Sequence, residues 1–288
     1  MNILITGATG NVGVPLIANF QVPLSANNLF AGVRDIEKAK KANVFPEGVE
    51  FRVFDFEDPS TFSSALKDID IIFLLRPPHI SNIDKYFMPL VKQLVECGVE
   101  KVVFLSVQGA EKSKVIPHRK IELLLLEHDL EYIFMRPSYF MQNLTTTLYN
   151  EISSHRTISL PSGDAKFNWI DIEDIAKMGV KFIAEFERYK NNAYEITGDH
   201  NLNFAEVVAK INKIADSNIV YNPVSPFRFF LIKKKEGLAF GMIIVMLILH
   251  YLPRIQTEPI IVKTVYDILN TAPSSIDDFI LRNKQKFS

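Results

Sequence analysis

Short apolar runs alternate with amphipathic segments through the first half of the chain, and this alternation restricts the fold more than any other feature. The apolar runs occupy Asn2–Thr6, Asn28–Val33, Val49–Phe54, Asp70–Leu75, Lys101–Ser106 and Glu131–Arg136. Between them lie Asp35–Asn43, Ser60–Lys67, Ile83–Cys97 and His118–His128, each with an apolar stripe at helical spacing. Strands that alternate with helices predict βαβ units around a parallel sheet. Ile71-Ile72-Phe73-Leu74-Leu75 is uninterruptedly apolar, as expected for a strand covered on both faces. The expected class is α/β, a doubly wound parallel sheet over residues 1–150, with a smaller α/β lobe over 151–288 and segments crossing between the two. In the second half the alternation loosens. Strands are expected at Ala193–Ile196 and Ile219–Tyr221, and helices at Ile172–Glu185, Phe204–Ala215 and Pro259–Leu269.

Charge and cysteine content exclude several functions. The formal net charge is −1, so no global basic field is expected to draw the chain to nucleic acid or to an anionic membrane. Cys97 is the single cysteine, which rules out an intramolecular disulfide and a paired-cysteine metal site. No His-Glu-x-x-His or clustered histidine spacing appears, so no metal is expected. The N-terminus enters a strand pattern at once without a basic leader, and a cytoplasmic protein is expected. The most apolar stretch, Leu238–Leu252, is shorter than the roughly 20 residues that cross a bilayer. It is apolar all round, so it is expected as a helix buried in the domain or against a partner, such as another copy in a homo-oligomer. No stable membrane insertion is expected. The run Lys233-Lys234-Lys235 is read as a solvated loop.

Thr6-Gly7-Ala8-Thr9-Gly10-Asn11-Val12-Gly13 follows the first strand and opens a helix pattern. That context gives a glycine-rich turn its meaning. One glycine permits the tight turn, one lets backbone approach a pyrophosphate, and one lets helix pack on strand. The helix end then offers unpaired N–H groups to phosphate oxygens. Gly7, Thr9, Gly10, Asn11, Val12 and Gly13 are therefore the candidate pyrophosphate contacts, and the sheet is expected to be of Rossmann type. The second strand ends at Val33-Arg34. A guanidinium there suits the 2′-phosphate of NADP(H), whereas an acid would suit the ribose of NAD(H). NADP(H) is expected as the preferred cofactor, with NAD(H) as the alternative. Lys38 lies one helical turn on, and Asp35 is expected to cap the following helix.

The turn GATGNVG resembles that of the extended and atypical short-chain dehydrogenase/reductases. Phe104-Leu105-Ser106-Val107-Gln108-Gly109-Ala110-Glu111, Pro117-His118-Arg119-Lys120-Ile121-Glu122, Met135-Arg136-Pro137-Ser138-Tyr139-Phe140-Met141-Gln142-Asn143 and Trp169-Ile170-Asp171-Ile172-Glu173-Asp174-Ile175-Ala176 resemble segments of the NmrA-like group. The resemblance covers most of the chain and implies an NAD(P)H-dependent oxidoreductase. It implies that Asp55 contacts the adenine and that Lys120 holds the nicotinamide ribose. Leu74, Leu75 and Arg76, which end the fourth strand, are expected along the cofactor. Ser106 occupies the usual serine region. Pro137, Ser138, Tyr139 and Phe140 are expected to shape the nicotinamide end, with Asn143 bonding nearby.

The resemblance departs at one decisive position. Standard members pair a tyrosine with a lysine four residues on, and here Ile116 precedes Lys120. Alcohol oxidation and sugar epimerisation need a positioned acid–base group, worth about 10²–10⁴-fold. Reduction of a quinone yields a phenolate whose pKa is near 10, and it tolerates the loss. His118 and Tyr139 are the candidate replacement donors beside Lys120. The expected activity is hydride transfer to a small-molecule quinone or similar carbonyl acceptor. The alternatives are a non-catalytic NADP(H)-binding sensor and a nucleotide-sugar epimerase or dehydratase-like protein.

Overall fold

A computed structural model describes residues 1–20, 28–114 and 116–288. It divides into two units. The first comprises Met1–Pro137, Ile172–Ile196 and Thr264–Asn270, and the second Ser138–Asp171, Thr197–Lys263 and Thr271–Ser288.

The first unit carries strands β1 (Asn2–Ile5), β2 (Asn28–Val33), β3 (Glu50–Val53), β4 (Ile71–Leu75), β5 (Lys101–Leu105), β6 (Glu131–Pro137) and β10 (Asn192–Ile196). They form a seven-stranded sheet in the order β10-β6-β5-β4-β1-β2-β3. Every pair is parallel. This is the Rossmann-type doubly wound sheet that the alternation predicts. Helices α1 (Gly13–Ala18), α2 (Ile36–Ala42), α3 (Phe62–Leu66), α4 (Ile83–Glu96), α5 (Pro117–Glu127), α7 (Ile172–Ala184), α8 (Phe186–Tyr189) and α12 (Thr264–Leu269) accompany it. Local chemistry fixes several helix starts. Asp35 accepts from the Lys38 amide at 2.9 Å and caps α2, and Asn82 accepts from the Lys85 amide at 3.0 Å and caps α4. These side chains satisfy donors that a helix N-terminus leaves open. The apolar stripe of α4 buries Ile83, Phe87, Leu90, Val91 and Leu94. They pack in one core with Leu4, Ile72, Phe104 and Phe134 from the strands.

The second unit holds β7 (Tyr139–Phe140), β8 (Thr157–Leu160), β9 (Phe167–Ile170), β11 (Asn201–Leu202) and β12 (Val220–Pro223). They form two small sheets, β11-β9-β7 and β12-β8. Its helices are α6 (Tyr149–His155), α9 (Phe204–Ala215), α10 (Pro226–Lys235), α11 (Phe240–Tyr251), α13 (Ile276–Arg282) and α14 (Lys284–Phe287). Trp169, Phe204, Phe229, Ile243, Met246 and Phe279 are central to its core.

Three expectations are corrected. Lys233-Lys234-Lys235 is the last turn of α10, not a loop. Lys233 is buried, and its ammonium meets Glu151 at 3.1 Å and Glu236 at 3.0 Å. That compensation lets a charge enter a core. The segment expected as a helix buried in the domain or against a partner becomes α11, of which the chain itself buries only Ile243, Met246 and His250. Pro259–Leu269 is helical only from Thr264. Among the described residues no helix is long and apolar enough to cross a membrane.

Gly7 and Gly13 set the geometry of the first turn. Gly7 has φ +58°, a left-handed conformation that glycine adopts without cost. A Cβ at Gly13 would lie 2.4 Å from the Gly7 carbonyl oxygen and 2.7 Å from the Ala8 Cα. Both are backbone atoms and cannot swing aside. Gly13→Ala is expected to destabilise the chain by more than about 2 kcal/mol. Urea unfolding monitored by circular dichroism checks this, and a stability equal to wild type would contradict the close approach.

Candidate functional site

In a parallel sheet all strands release their chain at the same edge, and ligands bind there where the strand order reverses. Here β1 lies between β2 and β4, so the reversal falls at the exit of β1. The Thr6 hydroxyl locks this point. It donates to the Phe73 carbonyl at 3.2 Å and accepts from the Leu75 amide at 2.8 Å. The chain then turns on itself, with the Gly10 amide donating to the Gly7 carbonyl at 2.9 Å. Gly7, Thr9, Gly10 and Asn11 are exposed, while Val12 and Gly13 are buried beneath them. A Cβ on Gly7 would approach that of Leu75 at 3.2 Å, so the end of β4 supports the turn directly.

The other candidates of this unit follow from strand exits. Arg34 leaves β2 and is exposed, and Asp35 beside it is engaged in its cap. Among the described residues no carboxylate pairs with Arg34 or with Lys120. Asp55 follows β3, and one of its carboxylate oxygens accepts from the Glu57 amide at 2.9 Å. Leu74 is buried and Leu75 half-buried at the end of β4. Arg76 is tied to its own loop, donating to the carbonyls of Pro77, Pro78 and Ile80. Burial lowers its pKa.

Arg76 also donates from Nε to Nε2 of His118 at 3.3 Å. The His118 ring lies 6.2 Å from that of Phe104. Burial, and then the Arg76 charge, push the His118 pKa down to about 3. The imidazole is therefore neutral at physiological pH and accepts at Nε2. Lys120 is exposed in the first turn of α5. Its amide donates to the Ile116 carbonyl at 3.2 Å, which sets Ile116 and Lys120 one turn apart. Ile116 supplies no proton.

A buried ionic network stands behind this edge. Glu122 of α5 is fully buried. Ser106 donates to it at 2.7 Å, Arg136 donates twice at 2.9 Å, and Arg119 once at 2.9 Å. Burial alone would raise the Glu122 pKa, but hydrogen bonds from Arg136, Ser106 and Arg119 hold it below the usual carboxylate value. Arg136 also meets Glu111 at 2.8 Å. The network ties the exits of β5 and β6 to α5. No role for Glu122 follows from the sequence motifs alone. The available signal is a carboxylate beside the buried stripe Ile121, Leu124 and Leu125, together with an arginine inside an apolar strand.

The remaining candidates are divided at the unit boundary. Pro137 ends β6, and its carbonyl accepts from the Gln108 amide at 2.9 Å. In the second unit Ser138 donates to Asn168 at 2.7 Å. The Tyr139 hydroxyl lies 3.0 Å from His250 Nε2 and also bonds Asn143. His250 Nδ1 lies 2.7 Å from the Met246 carbonyl. A carbonyl only accepts, so Nδ1 carries the proton and Nε2 receives the phenol's. Burial raises the Tyr139 pKa. Burial lowers that of His250 to about 4, against the Met246 hydrogen bond. Sequence reasoning missed His250, since a histidine in an apolar run shows its partner only in three dimensions.

The sheet order and glycine turn define a Rossmann-type α/β protein. The NmrA-like family model matches residues 1–246, and the chain belongs to that family. Among relatives, the prestalk A differentiation protein A of Dictyostelium discoideum is 29% identical over 226 residues, covering 78% of this chain and 73% of its own. An NAD(P)H azoreductase of Xenophilus azovorans is 28% identical over 227 residues, covering 76% of each chain. Among solved structures, an NADPH-dependent quinone oxidoreductase of Escherichia coli in complex with NADPH superposes with a TM-score of 0.83 at 20% identity. It covers 98% of this chain and 99% of that one.

Two outcomes follow for stability. Glu122→Ala leaves Arg136 buried without its main partner and is expected to cost about 3–5 kcal/mol, read from denaturant unfolding. A loss below 1 kcal/mol, taken roughly as the value of a surface pair, would contradict the network. His118 and His250 bind protons less readily folded than unfolded. Their contribution is complete above the unfolded value of about 6.5 and is lost as pH falls from there toward 4 and 3. The melting temperature is expected to drop between pH 7 and 5, and His250→Gln to flatten part of that drop.

Proposed function

We propose that this chain is an NAD(P)H-dependent reductase that prefers NADPH and delivers hydride to a quinone or a related conjugated carbonyl acceptor. The observation that carries the reading is the glycine turn at the reversal of strand order, with the exposed guanidinium of Arg34 at the next strand exit, paired with no carboxylate among the described residues. In this reading the open backbone from Gly7 to Gly13 receives the pyrophosphate. Arg34, aided by Lys38, receives the 2′-phosphate, since a fork of donors with permanent charge matches it. Asp55 faces the adenine with the carboxylate oxygen that its turn leaves over. Leu74, Leu75 and Arg76 flank the cofactor, Lys120 holds the nicotinamide ribose, and Pro137 lies at its nicotinamide end. The family membership and the named reductases among the relatives support this assignment.

NADPH supplies a hydride, and the protein's task is to hold donor and acceptor in line. Hydride adds to the quinone and leaves a phenolate, which takes its proton from water. Its pKa near 10 makes a strong acid unnecessary. This agrees with Ile116 in the tyrosine position, a neutral His118, and a Ser106 hydroxyl given to Glu122. A second reading, a cofactor-binding regulator without turnover, is favoured by the same lack of a proton donor at residue 116.

Steady-state oxidation of NADPH and NADH with a quinone panel separates these readings. Arg34→Ala is expected to raise KM for NADPH by about 10–100-fold, the worth of a charged hydrogen bond, with little change for NADH. Lys120→Ala is expected to lower kcat/KM for both. Equal losses for both cofactors in Arg34→Ala would overturn the phosphate assignment. Cofactor binding without turnover for any quinone would favour the regulator.

A further inference from the structure

The second unit carries an exposed apolar surface that neither the fold nor the proposed reaction uses. Helix α11 seats Ile243, Met246 and His250 on the core. Its opposite face carries Val245, Ile248, Leu249 and Leu252, at i, i+3, i+4 and i+7, and each is between 37% and 52% exposed. Such spacing makes a continuous stripe. Helix α10 extends it with Phe227, 73% exposed, and Leu231. The two helices meet where the Phe230 and Phe240 rings stand 5.9 Å apart. Ile255 and Ile260, which follow α11 in the chain, are exposed as well. Soluble surfaces scatter such residues singly, and a contiguous set marks a contact site.

Charge identifies the occupant. Residues 226–263 contain six basic side chains, Arg228, Lys233, Lys234, Lys235, Arg254 and Lys263, against two acids, Glu236 and Glu258. The whole chain has a net charge of −1, so this segment is a basic island in an acidic remainder. Both acids are already engaged, Glu236 with Lys233 at 3.0 Å and Glu258 with Lys166 at 3.2 Å. Arg228, Lys234, Lys235 and Lys263 are exposed and pair with no carboxylate among the described residues. We propose that this face docks the protein on an anionic lipid bilayer, with the α11 stripe in the interfacial region and the lysines and arginines against lipid headgroups. Apolar side chains beside a cationic rim are the pattern of a surface-bound element. Helix α11 has 12 residues, a length of about 18 Å, which suits lying in an interface and not crossing it. A second copy of the chain fits less well. A two-fold contact through this face would set the cationic rim against its own duplicate.

This inference does not depend on the reductase reading, and its test measures binding alone. The full chain is floated with vesicles of phosphatidylcholine containing phosphatidylserine, and with phosphatidylcholine alone. It is expected to float with the anionic vesicles and to be released as salt shortens the screening length. Lys234→Glu with Lys235→Glu lies on the exposed side of α10, and Ile248→Glu with Leu249→Glu lies on the stripe. Each pair is expected to lower vesicle partition about tenfold or more. Circular dichroism checks that each variant is folded, and the surface lysine pair stands as the test should the stripe variant unfold. A wild-type chain that does not float, or variants that float equally well, would overturn the proposal. So would a concentration-dependent dimer in sedimentation velocity that Ile248→Glu converts to monomer, since the stripe would then belong to a copy-to-copy interface.

Discussion

The Gly7 carbonyl oxygen occupies the space that any side chain at residue 13 would need, and the first unit is arranged around that approach. Because Gly13 has no Cβ, α1 starts tight against the turn that leaves β1. The Thr6 hydroxyl joins the same point to β4 from the other side. The turn is therefore held by backbone and by a buried hydroxyl, with its outer lip exposed. A site of this kind is prepared before any ligand arrives, and little ordering entropy is left to oppose binding.

Parallel strands bring the other groups to the same edge. Arg34, Asp55, Arg76 and Ser106 each follow the end of a strand, although they are far apart in sequence. What distinguishes them is whether the protein has already used them. Arg76 is spent on loop carbonyls and His118, and Ser106 on Glu122. Arg34 and Lys120 remain exposed, with no carboxylate partner among the described residues. The buried Glu122–Arg136 pair contributes position more than net stability, because desolvation offsets much of its attraction. It fixes α5, and with it Lys120, relative to the exits of β5 and β6.

The central sheet was legible in the sequence because both its signals are local. Continuous apolar runs mark the strands, and helix caps such as Asp35 sit next to the residues they cap. The glycine turn was legible for the same reason. The second unit resisted because β7 and β11 have two residues each, too few to display a period. Lys233 looked solvated since its partner Glu151 lies 82 residues away. Helix α11 looked wholly buried since every position but Gly241 and His250 invites burial, and periodicity carries no information when all faces are apolar. Likewise, His250 and Tyr139 are separated by 111 residues, and only folding pairs them.

The proposed reaction requires that the edge of the sheet at the Gly7–Gly13 turn hold a nicotinamide dinucleotide. Calorimetric titration of the wild-type chain with NADPH tests it directly. Saturable binding of one NADPH per chain is expected, tighter than NADH under the same conditions. Absence of binding by either nucleotide to the folded protein would contradict it.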